Sequence, residues 1–87
     1  MVNIRPHEQK LPSRAQLRAA RAALDLTVKA LAAEAMLGVS TVRRAEDDGL
    51  QVLTAANAQR LLDTFERLGV LFLEADQDGP GLRVRSL

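Results

Sequence analysis

The chain contains no cysteine, tryptophan or tyrosine, and each absence excludes a kind of site. Without cysteine it forms neither disulfides nor thiolate metal centres. The single histidine, His7, stands in a polar N-terminal segment without a second metal-ligating or nucleophilic partner. We therefore expect no metal site, no cofactor and no enzymatic activity. Phe65 and Phe72 lie in apolar patterns, which disfavours the stacking platform of single-strand or RNA binders.

Long apolar segments are missing as well. No run approaches the roughly 20 residues needed to cross a bilayer, and the N-terminal segment lacks the apolar centre of a secretory signal. We therefore expect a cytoplasmic protein with no membrane partner, and nothing in the pattern indicates a small-molecule ligand. At 87 residues the chain is close to the lower limit for a self-sufficient core, so oligomerisation is expected.

Charge is distributed unevenly, although the formal net charge is only +1. Residues 1–46 contain eight lysines and arginines against four acidic residues, whereas residues 47–81 contain two against seven. Arg83 and Arg85 follow near the C-terminus. This polarity favours a phosphate-rich partner for the first half, and the alternative is an ordinary scatter of surface charge.

The N-terminal region predicts an arm followed by a helix. Residues 1–12 are polar and weakly patterned, and Pro6 and Pro12 discourage a helix there, so we expect a flexible arm. Ser13 followed by Gln16 is the capping-box pattern that opens a helix. The buried stripe of that helix is predicted to consist of Leu17, Ala20, the stem of Arg21, and Leu24.

Segment 26–46 is the most informative part of the chain, because its pattern predicts two short amphipathic helices joined by a tight turn. Thr27 is the expected N-cap of the first of them. Small alanines allow two helices to cross closely at a steep angle, as in a helix-turn-helix, whose second helix lies in the DNA major groove. The predicted buried positions are Val28, Leu31, Ala32 and Ala35 in the first helix, and Val42 and Ala45 in the second.

A longer helix is predicted next. Gly49 supplies the positive φ that ends the preceding helix, and Thr54 caps a helix that reaches about Leu68 before Gly69 stops it. Its apolar positions keep helical spacing and are Ala55, Ala58, Leu61, Leu62, Phe65 and Leu68.

The last part of the chain predicts a β-hairpin. Runs 70–73 and 82–85 have strand character, and the turn sequence DQDGPG separates them. The chain is thus divided into an arm (1–12), a helical domain (13–69) and a hairpin (70–87). The first strand is apolar on both faces, so we expect the second face to meet a second copy; the alternative is that both faces pack within one chain. The predicted dimer interface consists of Phe65, Val70, Leu71, Phe72, Leu73, Leu82 and Val84.

Several positions carry a resemblance to a known family. They are Arg21, Leu26-Thr27, Leu31-Ala32 and Thr41-Val42-Arg43-Arg44-Ala45-Glu46, at matching spacing and without a gap. The tail GVLFLEADQDGPGLRVR is similar to the ending of a short bacterial subgroup, in which two strands follow the last helix. On these residues, segment 13–85 resembles the Cro and phage-repressor helix-turn-helix transcriptional regulators, also called the XRE family.

The resemblance implies a fold and a function. The fold is mainly α, a four-helix, lambda-repressor-like helix-turn-helix domain followed by a short C-terminal β-hairpin, and it is dimeric. The function is that of a sequence-specific regulator of double-stranded DNA, a homodimeric repressor, including of its own gene, that reads an inverted-repeat operator with helix three. Such regulators often sit on phages or mobile elements. The alternative is an antitoxin-like or antiactivator module that keeps the scaffold but binds a protein partner.

The pattern and the resemblance together assign roles to individual residues. Helix three is expected to present Val39, Ser40, Arg43 and Arg44 to base edges. Arg44 is preferred for a guanine, because its planar fork matches the O6 and N7 acceptors, whereas Arg43 contacts a base or a phosphate. The expected phosphate contacts are Thr27, Lys29, Thr41, Arg14 and Arg18. Arg21 and Glu46 occupy the positions of an ion pair that in this family joins helix one to helix three.

Two positions depart from the family pattern. Val28 stands where family members commonly have a phosphate-contacting glutamine, and valine makes no such contact. The turn glycine is expected near Met36, but the glycine here is Gly38. Either Met36 adopts the left-handed turn conformation at some cost, or the turn is displaced and helix three begins differently.

Overall fold

The computed structural model describes residues 11–76 and 79–85, which form four α-helices and a two-stranded antiparallel sheet. The helices are α1 (Arg14–Ala23), α2 (Val28–Ala35), α3 (Val39–Asp48) and α4 (Ala55–Arg67), with a short 3-10 helix at Leu50–Val52, and the strands are β1 (Val70–Asp76) and β2 (Gly79–Val84). The expectation of a mainly helical fold that ends in a hairpin is confirmed. Residues 1–10 of the predicted arm (1–12), including His7, lie outside the described residues.

Side-chain caps begin three of the helices, as their sequences predicted. The Ser13 hydroxyl accepts from the Gln16 N–H at 3.1 Å, and the Gln16 side chain accepts from the Ser13 N–H at 2.9 Å, which completes the capping box of α1. Thr27 begins α2 and Thr54 begins α4, each hydroxyl accepting a backbone N–H three residues later at 3.0 Å. Each cap satisfies an N–H group that has no partner within its own helix.

The turn between α2 and α3 places a methionine in the left-handed region. Met36 ends α2 with φ 57° and ψ 43°, whereas Gly38 has an ordinary φ of −70° and is the N-cap of α3. Of the two alternatives for this turn, Met36 therefore adopts the left-handed conformation itself, and the turn is not displaced. The left-handed conformation costs a non-glycine residue about 1–2 kcal/mol, because Cβ approaches the following carbonyl oxygen.

Glycine allows the chain to turn at the ends of α3 and α4. Gly49 has φ 101° and Gly69 has φ 97°, both in the region that disfavours residues with a Cβ. At Gly49 a Cβ would also meet the side-chain amide of Gln51. Both helices thus end at the glycines that the sequence indicated.

The core lies where the helices meet and continues under the hairpin. It consists of Leu17, Ala20, Leu31, Ala32, Ala35, Val42, Ala45, Leu50, Leu61, Phe65 and Val70. The predicted stripes supply most of these residues, and Leu24, Val28, Ala58 and Leu62 pack against them half-buried. Ala55 is a correction: it is exposed, because it lies at the first helical position of α4, before that helix reaches the core.

The hairpin extends further towards its turn than predicted. Val70 pairs with Val84, Phe72 with Leu82, and Asp76 with Gly79, with an irregularity between Leu73 and Asp76. Segment 79–81, predicted as part of the turn, therefore belongs to β2. Proline is compatible with this position because each strand of a two-stranded sheet is an edge strand, where an N–H can be absent.

The side-chain amide of Gln16 attaches the hairpin to α1. Its Nε2 donates to the carbonyl oxygen of Leu73 at 3.1 Å and to that of Gly81 at 2.8 Å. Gln16 is 9% exposed, and its oxygen accepts from Ser13 in the capping box. One buried amide thus completes the N-terminal cap of α1 and donates to both strands next to the irregularity in their pairing.

Candidate functional site

One side of α3 is exposed and the opposite side is buried. Val39 is 37% exposed, and Ser40, Arg43 and Arg44 are exposed as well. Val42 and Ala45 on the other side are completely buried. These positions follow from the 3.6-residue repeat of the helix. The four residues predicted to contact base edges therefore share one accessible face, which we call the α3 face.

The two arginines of the α3 face have different surroundings. The Nη2 group of Arg44 donates to the carbonyl oxygen of Val52, in the short 3-10 helix, at 3.1 Å. Among the side chains that the structure describes, those of residues 11–73 and 81–85, none forms a hydrogen bond with the Arg43 side chain, and no described backbone group does so. The contact of Arg44 has no sequence signal, because it depends on how the chain folds back after Gly49. Arg43 is accordingly the arginine of this face whose guanidinium is available without breaking a described contact.

The starts of α2 and α3 carry most of the other expected phosphate contacts. Thr27 and Lys29 are exposed near the beginning of α2, and Thr41 is half-buried in the first turn of α3. Gly38 caps α3 without a side-chain oxygen. The first N–H groups of α3 therefore lack the side-chain acceptor that Thr27 supplies to α2, and helix N-termini of this kind attract anions. Val28 packs half-buried against the core.

Arg21 and Glu46 join α1 to the last turn of α3 as a two-point ion pair. Nε of Arg21 lies 2.7 Å from Oε2 of Glu46, and Nη2 lies 3.1 Å from Oε1. The Arg21 side chain is 24% exposed and that of Glu46 is 5% exposed. The hydrogen bond to Glu46 raises the pKa of Arg21, burial opposes that rise, and the charge of Glu46 adds to it. Arg21 also donates to the carbonyl oxygen of Leu26 at 3.0 Å, which ties it to the start of α2.

Arg14 and Arg18, predicted to contact phosphate, are exposed but also contact α3. Nη1 of Arg14 donates to the carbonyl oxygen of Asp47 at 2.7 Å, and Nη1 of Arg18 donates to that of Glu46. Sequence reasoning missed both contacts. The spacing places these arginines on one side of α1, but no pattern within α1 indicates that the end of α3 lies against that side.

The residues predicted to form a dimer interface separate into buried and exposed groups. Phe65 is completely buried and Val70 is 4% exposed within one chain, so neither offers surface to a partner. Phe72 is half-buried and meets Phe65 edge-to-face, with ring centroids 5.5 Å apart. Leu73 and Leu82 are also half-buried. Leu71 and Val84 are 55% and 36% exposed. An interface on the hairpin would therefore be centred on Leu71 instead of Phe65.

The described residues show no other constellation with evident chemistry. Among the described side chains, those of residues 11–73 and 81–85, there is no group of three or more suited to hold a metal ion. Among the helices in this part of the chain, none combines the length and apolar character needed to cross a bilayer. No protein-family model matches the chain, and no curated protein matches its sequence.

Proposed function

We propose that this protein is a sequence-specific regulator that binds double-stranded DNA as a homodimer and represses transcription, including that of its own gene. The α3 face carries the proposal: four residues suited to base contacts are accessible together on a helix whose other side is buried. In this proposal α2, the turn at Met36 and α3 form a helix-turn-helix, with α3 in the major groove.

The ion pair supports the proposal because it restrains the helix that reads the bases. A groove contact discriminates between bases only if the helix is held at a defined angle and depth. Arg21 binds Glu46 at two points and also reaches the carbonyl oxygen before α2. The chain therefore fixes α2 and α3 to α1 through one guanidinium.

Within the α3 face, Arg43 is the stronger candidate for reading a guanine. A hydrogen bond from a charged donor contributes about 1.5–3 kcal/mol, and a bidentate guanine contact discriminates by about 1–3 kcal/mol. Arg44 would give up its bond to Val52 to make such a contact through the same group, so part of the gain would be offset. Arg43 has no described bond to lose. The order of preference from the sequence, Arg44 before Arg43, is therefore reversed in this proposal.

Phosphate contacts would hold the protein on the duplex without reading sequence. Lys29 is an exposed cation on α2, and the exposed Thr27 and the half-buried Thr41 lie at the starts of the two helices. Backbone N–H groups at these helix starts are suitable phosphate donors. Lys29 contributes charge alone, so its loss would weaken binding to every sequence alike.

The test is fluorescence anisotropy with DNA from upstream of the protein's own gene and with scrambled DNA, over a series of salt concentrations. We expect the wild type to prefer the upstream DNA by about a thousandfold or more. Arg43→Ala should lose about 1–3 kcal/mol on that DNA and relax the base preference, whereas Lys29→Ala should reduce the salt slope by about one and keep the preference. Equal wild-type affinity for both DNAs would reject the proposal.

A protein-binding module, such as an antitoxin-like protein or an antiactivator, is the second candidate. The observation in its favour is the 55% exposure of Leu71, an apolar residue on the outer side of the hairpin. Val28 also lacks the phosphate-contacting group that the resemblance would place there. Under this candidate, substitution of Leu71 would abolish activity in the cell while Arg43→Ala would leave it intact.

A further inference from the structure

The C-terminal end of α3 concentrates negative charge. Glu46, Asp47 and Asp48 occupy its last turn, and that turn contains no basic residue. The helix dipole adds about half a negative charge at the same place. The last carbonyl groups of a helix also lack partners within it. This end of α3 would therefore fray unless donors and positive charge came from elsewhere.

Two of the last four carbonyl oxygens are satisfied locally. The Gly49 N–H donates to the carbonyl oxygen of Ala45 at 2.9 Å. Nε2 of Gln51 donates to that of Asp48 at 2.6 Å. Both donors are uncharged and follow directly in the chain, so they leave the charge of the helix end uncompensated.

The other two carbonyl oxygens accept from arginines of α1. Nη1 of Arg14 lies 2.7 Å from the carbonyl oxygen of Asp47, and Nη1 of Arg18 contacts that of Glu46. Arg21 binds the Glu46 carboxylate one turn further along α1. Positions four and three residues apart lie on one side of a helix, so these arginines form one row against the last turn of α3. The row supplies the positive charge that α3 itself lacks.

We propose that Arg14 and Arg18 are positioning residues that cap α3 and fix the direction in which the α3 face points. They act through the end of α3 and not by contact with DNA phosphate. This inference rests on the proposed function, because the face that they hold in place is the one proposed to read DNA. A phosphate contact through Nη1 would leave an uncapped carbonyl beside three acidic side chains.

The capping role is tested first in the free protein. Amide hydrogen exchange is measured over residues 45–49 in Arg14→Ala and Arg18→Ala, under conditions where thermal unfolding shows each variant fully folded. We expect about tenfold faster exchange in this segment. Arg18→Lys, which keeps a charged donor, should restore slow exchange. Lys29→Ala removes an exposed cation from α2 and is the matched control, with unchanged exchange. Unchanged exchange in both alanine variants would overturn the inference.

Arg14→Ala and Arg18→Ala are then compared with the wild type on DNA. Positioning predicts that the preference for upstream over scrambled DNA falls about tenfold while the salt slope stays at the wild-type value. A phosphate contact predicts the reverse, an unchanged preference and a slope smaller by about one, and that result would also overturn the inference. If wild-type protein shows no preference, the proposed function fails, and the exchange experiment alone decides whether the two arginines cap α3.

Discussion

Met36 has a strained backbone conformation, because a residue other than glycine rarely occupies the left-handed region. It adopts φ 57° and ψ 43° with a side chain that is 78% exposed, so it packs against little. We expect Met36→Gly to stabilise the protein by about 0.5–1 kcal/mol, because relief of the left-handed conformation exceeds the added entropy of the unfolded chain. The urea midpoint at unchanged slope is the measurement. Ala33→Gly, at an exposed interior position of α2, should instead cost about 1 kcal/mol.

The two partners of the ion pair are expected to respond unequally to substitution. Arg21→Ala leaves the Glu46 carboxylate, 5% exposed, without its cation. We expect a loss of about 3 kcal/mol, the lower end for a buried pair because the Arg21 side chain is 24% exposed. Glu46→Gln keeps an oxygen acceptor and leaves the more accessible partner, so its cost should be smaller. Chemical denaturation orders the two variants, and an equal cost would contradict this account.

The pKa of Arg21 determines how that difference depends on pH. Because the folded-state pKa is raised, the stability linked to Arg21 is present below its ordinary pKa and is lost as the pH rises through the raised value. The free energy of unfolding that Arg21→Ala loses beyond the loss in Glu46→Gln should therefore not decline between about pH 6 and pH 9. A decline within that range would mean that another group titrates with the pair.

Residue-level signals in the sequence were reliable where the physics is local. Ser13, Thr27 and Thr54 cap their helices because each hydroxyl needs only an N–H three residues away. The contact of Arg44 with Val52 depends on the path of the chain after Gly49. No local pattern contains that information, and the preference for Arg44 changed for this reason.

At the level of elements, the junction between α1 and the hairpin depends on Gln16. Replacing it by leucine removes two hydrogen bonds to carbonyl oxygens and one acceptor of the capping box. We expect Gln16→Leu to cost about 2–4 kcal/mol, because the two carbonyls are left without this donor in a half-buried place. The same substitution should accelerate amide hydrogen exchange in β1 and β2.

Ser13→Ala is the matched control for that variant. It removes the hydroxyl acceptor of the cap but keeps the amide contacts of Gln16 with the hairpin. It should cost about 1 kcal/mol and leave exchange in β1 and β2 unchanged. Equal effects of the two substitutions on the hairpin would show that Gln16 acts only through the cap.

The helices and strands themselves were predictable because their sequence signals are periodic. Their boundaries were less predictable. Helical spacing placed Leu61 and Phe65 correctly in the core, since each turn of α4 repeats the same exposure. Ala55 fits the same spacing but lies before the helix meets the core. The extent of β2 was underestimated because glycine and proline signal a turn, while an edge strand tolerates both.

On the scale of the whole molecule, the exposed outer side of the hairpin is the surface that a second copy would cover. The apolar pattern of the hairpin led us to expect a dimer. Because Phe65 and Val70 are buried within one chain, the accessible part of the predicted interface lies on the exposed hairpin residues. Two copies joined there would carry two α3 faces related by a two-fold axis. An inverted repeat in the DNA has the same symmetry, so the assembly and the proposed operator belong together.

Leu71→Lys tests this assembly, because Leu71 is the most exposed apolar residue among the described side chains of the hairpin, and the substitution places a charge there. We expect sedimentation equilibrium to show a dimer for the wild type and a monomer for the variant. Ala56→Lys, at an exposed position of α4, is the control and should remain dimeric.

On DNA, the wild type should bind two half-sites about 34 Å apart cooperatively and lose that cooperativity when about five base pairs are inserted between them. The Leu71→Lys variant should bind the DNA with and without this insertion alike. A wild type that sediments as a monomer, or a variant that keeps the spacing preference, would place the symmetry of binding elsewhere than in the hairpin.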